Sequence, residues 1–439
     1  MSDAAGTSAA RECALPDSPL ERERGGLDSC VHCGFCLPAC PTYLALEDEN
    51  DSPRGRLLLM GALLEGTVAP DDPQVGRHLD QCLGCRGCET ACPSGVPYGR
   101  LLEATRATLV AHRPLPPVAR VVLAVFAREW TLRPALAVAR VARTSGLAAL
   151  LARLLPARFA MPFAMLASTV RPRRSAWYAS GDGSRGTATL LTGCVMEGLF
   201  ADVNRSTERT LTVNGWQMRE SPGQRCCGAL HAHAGDAATA RTLARENVAA
   251  FERSGASVLV INSAGCSAMC RDYAHLLAAD AAWRDRARDF SARVRDVHEL
   301  LASAGPTRGS GAVPRDGAGA RTKVAYDAPC HLQHAQRIVD PPLAVLRALG
   351  GAALVPLIDS DQCCGSAGIF NLVRPEVAER VLAPKLARIA ESGAAIVATG
   401  NPGCLMQIGG GLLLDGQPVL VRHPVELLDE EYAPARDRR

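Results

Sequence analysis

CVHCGFCLPACP, at residues 30–41, and CLGCRGCETACP, at residues 82–93, have the same cysteine spacing. Each stretch has the pattern C-x2-C-x2-C-x3-C followed by proline. In such a pattern three thiolates lie on one tight loop around a cubane iron–sulfur cluster, while the fourth cysteine is a ligand of the other cluster. We therefore predict two [4Fe-4S] clusters. The first is held by Cys30, Cys33, Cys36 and Cys92, and the second by Cys82, Cys85, Cys88 and Cys40.

A structural zinc site is the alternative interpretation of these loops, because zinc sites also use C-x2-C pairs. Zinc takes its four ligands as two separated pairs, however, and has no use for a third cysteine at the same spacing in both loops. Pro41 and Pro93 fix the backbone after the last cysteine and turn the chain away. The pattern thus favours two iron–sulfur clusters that lie close enough for electrons to pass between them.

A second repeat occupies the C-terminal part of the chain. Cys330 follows Cys194 by 136 residues, and Cys404 follows Cys266 by 138 residues. The repeated cysteines are Cys194, Cys226, Cys227 and Cys266 in the first unit, and Cys330, Cys363, Cys364 and Cys404 in the second. In both units β-rich runs alternate with helical stretches, which predicts βα units and a mostly parallel sheet. We expect most of these cysteines near strand ends, where α/β folds place their chemistry.

Each unit contains two adjacent cysteines followed by glycine. Neighbouring cysteines form a disulfide only with strain, so this triplet suggests two sulfurs that serve one metal centre. The pattern resembles the cysteine-rich CCG domain of heterodisulfide reductase and of several flavin-linked dehydrogenase assemblies. The ordered set CVHCGFCLPACPTY, DSPRGR, CLGCRGCETACPSGV, RPLP, CCGA, CHLQHAQ and CCGSAG is similar to that of glycolate oxidase iron–sulfur subunits, over about residues 27–428.

The resemblance implies an electron-transfer subunit of an oxidoreductase complex, with no catalysis of substrate by this chain alone. FAD-containing partner subunits would oxidise glycolate, and electrons would pass through this chain to a respiratory acceptor such as quinone. Related subunits serve D-lactate, glycerol-3-phosphate or other 2-hydroxyacid dehydrogenases, so the substrate stays open. A heterodisulfide-reductase-like thiol/disulfide enzyme is the further alternative. The sequence has neither a G-x-G-x-x-G motif opening a βαβ unit nor a P-loop, which agrees with flavin on a partner.

The CCG units depart from the heterodisulfide reductase pattern, in which each half has a fifth cysteine as C-x2-C. Here Cys266 and Cys270 are spaced C-x3-C, and Gln407 stands at the corresponding place of the second half. Cys270 lies one helical turn beyond Cys266 and can face the same site if the segment is helical. Two interpretations stay open: a further iron–sulfur centre in the CCG halves, or cysteines that remain thiols.

The fold class that we predict is α + α/β: an N-terminal α-helical, ferredoxin-like two-cluster domain followed by two repeated α/β CCG half-domains. Six segments follow from composition and punctuation. They are residues 1–26, a mobile N-terminus; 27–105, the di-[4Fe-4S] ferredoxin-type domain; 106–186, a basic helical segment and linker; 187–306, the first CCG half; 307–322, a Gly-rich connector; and 323–439, the second CCG half. In the basic segment we expect interruptions at Pro114, Pro116, Pro117, Pro134, Pro156 and Pro162.

Charge and composition limit the partners and the compartment. A net charge of +3 over 439 residues argues against a nucleic-acid partner. The N-terminus has no apolar region typical of a signal peptide, and no run of 18 uncharged apolar residues occurs. We therefore expect a cytoplasmic protein, whose 18 cysteines serve metal ligation or redox chemistry rather than disulfides.

Residues 114–174 contain ten arginines and one acid, Glu129, among apolar residues. Helices of this composition can lie on an anionic membrane surface, which predicts a peripheral contact with the inner face of the cytoplasmic membrane. The other interpretation is an amphipathic helix that covers the neighbouring domain.

Several residues near the cysteines have two possible roles. His331 and His334 either pack and form ordinary hydrogen bonds or donate to a cluster sulfur. His32 either tunes a cluster or is simply exposed. Arg54 and Arg56 either cap the next helix and face solvent or compensate cluster charge and contact a partner. Cys13 is expected to be incidental.

Overall fold

The computed structural model describes residues 13–170, 181–307 and 321–433. Residues 1–12 of the predicted mobile N-terminus, most of the Gly-rich connector and part of the linker before residue 186 lie outside the described residues. The predicted α + α/β class is confirmed: a helical N-terminal region is followed by two units, each with its own parallel sheet.

The N-terminal region is built from short helices around the two cysteine loops. They are α1 (Pro19–Arg22), α2 (Arg24–Asp28), α3 (Pro41–Leu46), α4 (Pro53–Leu64), α5 (Pro73–Asp80), α6 (Gly87–Ala91) and α7 (Tyr98–Val110), with a 3-10 turn at Glu49–Asp51. Ser52 is the N-cap of α4, where its hydroxyl accepts a hydrogen bond from the Gly55 amide at 2.9 Å. The DSPRGR motif is therefore a helix start.

Four helices follow in the basic segment: α8 (Pro117–Phe126), α9 (Glu129–Thr144), α10 (Leu147–Leu154) and α11 (Ala157–Ala167). The expected interruptions at Pro134 and Pro162 are wrong, because these prolines lie inside α9 and α11. Tertiary packing compensates for the lost backbone hydrogen bond. A Cβ placed on Gly198 would lie 2.5 Å from Leu136 of α9, and one on Gly410 would lie 2.9 Å from the Met165 amide of α11.

The first CCG half contains β1 (Thr187–Leu190), α12 (Cys194–Leu199), α13 (Ala201–Val213), β2 (Gln217–Arg219), α14 (Ala229–Ala234), α15 (Ala237–Ser254), β3 (Val258–Ile261), α16 (Ala264–Arg271), α17 (Tyr273–Leu276), α18 (Arg284–Arg293), β4 (Val294–Asp296) and α19 (Val297–Ala304). Its four strands are all parallel, in the order β2-β1-β3-β4, with Ala188 opposite Val258.

The second CCG half contains β5 (Thr322–Tyr326), a π-helical turn (His331–Ala335), α20 (Asp340–Arg347), β6 (Ala352–Val355), α21 (Phe370–Val373), α22 (Pro375–Ser392), β7 (Ile396–Ala398), α23 (Pro402–Leu414), β8 (Leu420–Arg422) and α24 (Pro424–Tyr432). The sheet order is β6-β5-β7-β8, again parallel, with Val324 opposite Ile396. The topology of the first sheet is thus repeated, as the predicted parallel βα units require.

The two CCG halves share one hydrophobic core, which includes Phe200 and Leu301 of the first half and Leu346 and Leu427 of the second. A buried ion pair also joins them, because the Arg209 guanidinium donates to the Asp429 carboxylate at 2.8 Å. This packing brings the carboxyl ends of the strands, and the cysteines that follow them, toward the N-terminal region.

Candidate iron–sulfur and cysteine centres

The first predicted cluster site is a cleft between the first cysteine loop and the end of α6. Cys30, Cys33 and Cys36 line the cleft from the loop, and Cys92 lines it from the C-cap of α6, with Cys88 beside them. Cys33 is exposed and the other three predicted ligands are half-buried. The fold thus brings Cys92 from the second loop to the three cysteines of the first loop.

The second predicted site lies deeper in the same region. Cys40, Cys82 and Cys88 are buried and Cys85 is half-buried. Burial raises the pKa of Cys88, and the nearby thiols of Cys85, Cys82 and Cys40 raise it further. Cys40 of the first loop therefore lies among the cysteines of the second loop.

These two groups of thiols fit two iron–sulfur clusters. Burial raises the pKa of Cys36, Cys85 and Cys88, and each thiolate would repel its neighbours. A bound metal core deprotonates cysteine ligands and neutralises that repulsion. The amide of Gly84 donates to Cys82 Sγ at 3.4 Å and the Tyr98 hydroxyl donates to it at 3.7 Å, so the sulfur already has hydrogen-bond donors of the kind that tune a cluster.

The structure separates the roles of Arg54 and Arg56. Arg54 is partly exposed and pairs with Glu49 at 2.8 Å. The Arg56 guanidinium is fully buried and donates to the Asp51 carboxylate at 3.1 Å, to the Thr42 hydroxyl and to the His78 carbonyl. Burial lowers the pKa of Arg56, but the neighbouring Cys82, Tyr98 and Cys40 raise it above its usual value. Arg56 is the residue placed to compensate cluster charge.

In the second CCG half, four cysteines form a compact group at the carboxyl end of the sheet. Cys364 Sγ and Cys404 Sγ lie 3.4 Å apart. Cys330 packs against the apolar cluster that contains Cys363, and Cys363, Cys364 and Cys404 are buried. Gly365, at φ +83°, lets the backbone approach α22, since a Cβ there would lie 2.7 Å from the Ala378 carbonyl oxygen.

The first CCG half has the matching group. Cys194 Sγ lies 3.5 Å from Cys226 Sγ, and Cys227 Sγ lies 3.3 Å from Cys266 Sγ. Cys270 is fully buried on α16, one turn beyond Cys266. Its side chain lies next to the Tyr273 side chain. The segment is helical, as the interpretation of Cys270 as a fifth ligand requires.

Gln407 occupies the corresponding place of the second half. It is buried, and its side-chain oxygen accepts a hydrogen bond from Asn371 at 2.8 Å. A packed amide therefore replaces the fifth thiol there.

The second predicted cluster site adjoins the cysteine group of the second CCG half. Burial raises the pKa of Cys85, and the nearby Cys363 is the next largest cause. Cys85 and Cys330 lie at the edge of one apolar cluster that contains Leu83 and Cys363. The sequence did not indicate which of the two halves would lie here, because the two repeats match each other so closely.

The histidines have different environments. His334 bridges two regions: its Nδ1 lies 2.9 Å from the Thr90 hydroxyl and its Nε2 lies 3.0 Å from the Asp361 carbonyl. His331 Nδ1 lies 3.4 Å from Cys330 Sγ, and burial lowers the pKa of His331 to about 3. His32 is exposed, with Nδ1 3.8 Å from Cys30 Sγ. His334 is thus an ordinary hydrogen-bonding residue, while His331 lies against a candidate ligand.

Sequence reasoning missed a buried ion pair beside the second cysteine group. Lys385 Nζ lies 2.8 Å from the Asp327 carboxylate and also donates to the Asp359 and Ser360 carbonyls. Burial lowers the pKa of Lys385, but Asp327 and the nearby Cys364 and Cys404 raise it overall. A signal was present in the sequence, since the chain has only two lysines among 48 basic residues.

Known protein families match both parts of this arrangement. Residues 26–96 match the 4Fe-4S dicluster domain, and residues 188–271 and 324–409 match the cysteine-rich CCG domain. The chain is 33% identical over 425 residues to the probable glycolate oxidase iron–sulfur subunit of Bacillus subtilis, covering 93% of this chain and 94% of that protein. It is 32% identical over 409 residues to the glycolate oxidase iron–sulfur subunit of Escherichia coli, covering 92% and 94%.

The chain belongs to the glycolate oxidase iron–sulfur subunit family. Shorter relatives include the lactate utilization protein A of Exiguobacterium, 30% identical over 241 residues, which cover 55% of this chain and 96% of that protein. The dicluster match decides against zinc for the N-terminal loops. As a member of this subunit family, the chain carries iron–sulfur clusters and belongs to a multi-subunit oxidoreductase complex.

The exchange of ligands between the loops predicts which variants share a defect. We expect Cys92→Ser to lose the electron paramagnetic resonance signal that Cys30→Ser loses, and Cys40→Ser to lose the one that Cys85→Ser loses. Spectra of the reduced, anaerobically purified protein test this. Cys13→Ser is the control and keeps both signals. A Cys92→Ser protein that matched Cys85→Ser instead would contradict the assignment.

Proposed function

We propose that this chain carries electrons from FAD-containing partner subunits, which oxidise glycolate, to a respiratory acceptor such as quinone. The observation that carries the proposal is a spatial series of three adjoining groups of cysteines. The first, with Cys33, is exposed, the second, with Cys82, is buried, and the third includes Cys363. The names of the full-length relatives support glycolate. The lactate utilization relatives favour lactate as the second candidate substrate.

The residues of the chain hold, shield and compensate the clusters. When bound, the clusters supply one-electron carriers that connect a two-electron flavin to its acceptor. Burial of Cys40, Cys82 and Cys88 excludes water from the second site, and Arg56 supplies a fixed positive charge there. A low-dielectric site with such a charge needs little reorganisation when an electron arrives.

The first site is the place where a partner subunit reaches the chain. Cys33 is exposed, and its neighbours Val31 and Phe35 expose 68% and 64% of their surfaces. Exposed apolar side chains around a redox centre are typical of a surface that another protein covers. The FAD-containing subunit is the proposed occupant.

We also propose a further iron–sulfur centre in the second CCG half. Cys364 and Cys404 lie within contact distance, Cys330 and Cys85 pack against the cluster that contains Cys363, and Lys385 supplies a buried cation nearby. Cysteine thiolates beside a buried cation are ligands that suit an iron–sulfur centre.

The substitution Cys85→Ser tests the electron route. We expect glycolate to reduce the flavin of the complex at the rate of the unsubstituted protein. Reduction of the acceptor should fall at least a hundredfold, because the second cluster is lost. Stopped-flow absorbance follows the flavin, and steady-state assays follow the acceptor. Cys13→Ser should change neither rate. Unchanged acceptor reduction in Cys85→Ser would refute the role.

Iron analysis tests the third centre. We expect the anaerobic protein to contain more than about eight iron atoms per chain, the content of two cubane clusters. Cys363→Ser should return the count to about eight, and Cys226→Ser, the matched change in the first half, should leave it unchanged. A count of about eight in the unsubstituted protein would remove the third centre and keep the other two.

The location that we propose is the cytoplasm, with peripheral contact to the inner face of the membrane. Within the described ranges, no single helix is long and apolar enough to cross a membrane, and the pair α9 and α10, which passes by length and composition together, is bent by 75°. The contact would instead use an outward face of α9. Trp130, Val138 and Val141 expose 66–72% of their surfaces at helical spacing, on the side away from buried Leu132.

Charge and apolar surface coincide on this segment. Leu147, Leu150 and Leu154 of α10 are also exposed at helical spacing. Arg133 and Arg140 are exposed beside the stripe of α9. A helix with apolar side chains flanked by arginines binds anionic lipid surfaces.

Vesicle sedimentation tests the membrane contact. We expect the protein to sediment with vesicles containing phosphatidylglycerol at low salt, and less at high salt because the arginine contribution is screened. The double variant Trp130→Ala, Val138→Asp should stay in the supernatant. Ile358→Asp, at an apolar residue that is 57% exposed elsewhere, is the control. If the unsubstituted protein fails to sediment, the contact is wrong.

A further inference from the structure

A cleft separates the second cysteine loop from helices α8 and α21. Its walls are mainly apolar, and they include Leu83, Leu109, Leu115, Ala119, Phe370 and Val373. Cys82, a predicted ligand of the second cluster, also lines the cleft. An apolar cleft with a few polar groups, next to a redox centre, is the usual form of a site for a small redox ligand.

Apart from the Asp80 carboxylate, the charged side chains that line the cleft are hydrogen-bond donors. Arg106 donates to the Cys82 carbonyl at 2.6 Å and to the His233 carbonyl at 2.9 Å, which ties the wall of the cleft to the cluster loop. His233 Nδ1 lies 2.8 Å from the Glu103 carboxylate. Burial raises the pKa of Glu103, but its hydrogen bond to His233 is the main reason that the pKa falls overall. Glu103 is therefore a carboxylate that orients the His233 ring, and Nε2 is the ring nitrogen that remains for a ligand.

The rim of the cleft has more positive than negative charge, because Arg106, Arg113 and Arg374 line it together with Asp80. Arg113 forms two hydrogen bonds of 2.9 Å with the Asp80 carboxylate, and Arg374 also lies 3.8 Å from it. Arg106 is committed to backbone carbonyls. The apolar walls and these donors together fit an apolar ring with oxygen atoms that accept hydrogen bonds.

We propose that this cleft binds the ring of a lipid-soluble quinone, with a ring carbonyl accepting a hydrogen bond from Nε2–H of a cationic His233 whose Nδ1–H is held by Glu103. The proposal rests on the proposed function, since it gives the site of the quinone acceptor. Phe370 provides an aromatic wall, and Ala119 places α8 against the cleft. On the outer side of α8, Val118 and Val121 expose 50% and 64% of their surfaces, so an isoprenoid tail would leave along an apolar surface.

Binding of a short-chain ubiquinone analogue to the anaerobic holoprotein, measured by calorimetric titration, tests the site. Val373→Trp fills the cleft and should weaken binding at least tenfold. Leu372→Trp is the matched control, because Leu372 is the exposed neighbour and does not line the cleft. His233→Phe should weaken binding about tenfold through the loss of one hydrogen bond, with iron content unchanged.

The outcomes separate this site from the proposed function. Equal affinity of Val373→Trp and the unsubstituted protein, or no binding at all, would overturn the site. The electron-transfer role would still stand if the complex reduced a water-soluble dye. A photoreactive quinone should label peptides from α8 or α21, and labelling confined to other regions would overturn the site as well.

Discussion

The exchange of one cysteine between the two N-terminal loops is the constraint on which the rest of the structure depends. Cys92 lies with the first loop and Cys40 lies with the second, so neither loop can complete its donor set alone. The helices between the loops bring the chain from the first cysteine loop back to the second. Arg56 holds this arrangement from α4, since it contacts Asp51, Thr42 and the backbone of His78. Removal of one partner of such a buried pair typically costs about 3–5 kcal/mol, which makes Arg56 structural as well as electrostatic.

The two CCG halves have the same topology but different chemistry around their cysteines. Asp327 directly follows β5, whereas Leu191 directly follows β1. Lys385 is the eleventh residue of α22, and Asn247 is the eleventh residue of α15. The second half therefore has a buried ion pair where the first has an apolar residue and an amide. Asn247 instead donates to the Cys226 carbonyl at 3.0 Å.

The presence or absence of the ion pair matches the position of each half relative to the second cluster site. The half with the ion pair is the one that adjoins Cys85, so the fixed charges lie where an electron would arrive. The half without it has the extra thiol, Cys270, buried against Tyr273. Divergence of the two copies toward one unit that holds the proposed third centre and one that does not would explain both substitutions with a single cause. A half that received electrons would gain from a buried ion pair, and a half that did not would need none.

Much of the fold was predictable because its signals are local. Cysteine spacing gave the two loop groups, and alternation of β-rich and helical runs gave the parallel sheets. The strands β2, β4 and β8 show no β-rich run in the sequence, because each has only three residues and one of them is an arginine. Pro134 and Pro162 were misread because packing against other helices decides whether a helix tolerates proline. The contact between Cys85 and Cys363 joins residues 278 positions apart, and nothing local in either stretch encodes it.

The second predicted cluster site adjoins two other parts of the structure, and these two contacts determine the routes that electrons can take. Cys85 faces the cysteine group of the second CCG half, while Cys82 lines the apolar cleft. His233 and His331 connect these two neighbours, because their rings lie 5.5 Å apart and His331 touches Cys330. A third centre and a quinone in the cleft would therefore lie on two sides of the same site rather than in one line. An electron could then be stored on the third centre until a quinone occupies the cleft. Such storage is useful because a flavin delivers two electrons while the clusters carry one at a time. A branch in the electron path at the second cluster site, rather than a longer path, is what the proposed third centre would add to a two-cluster protein.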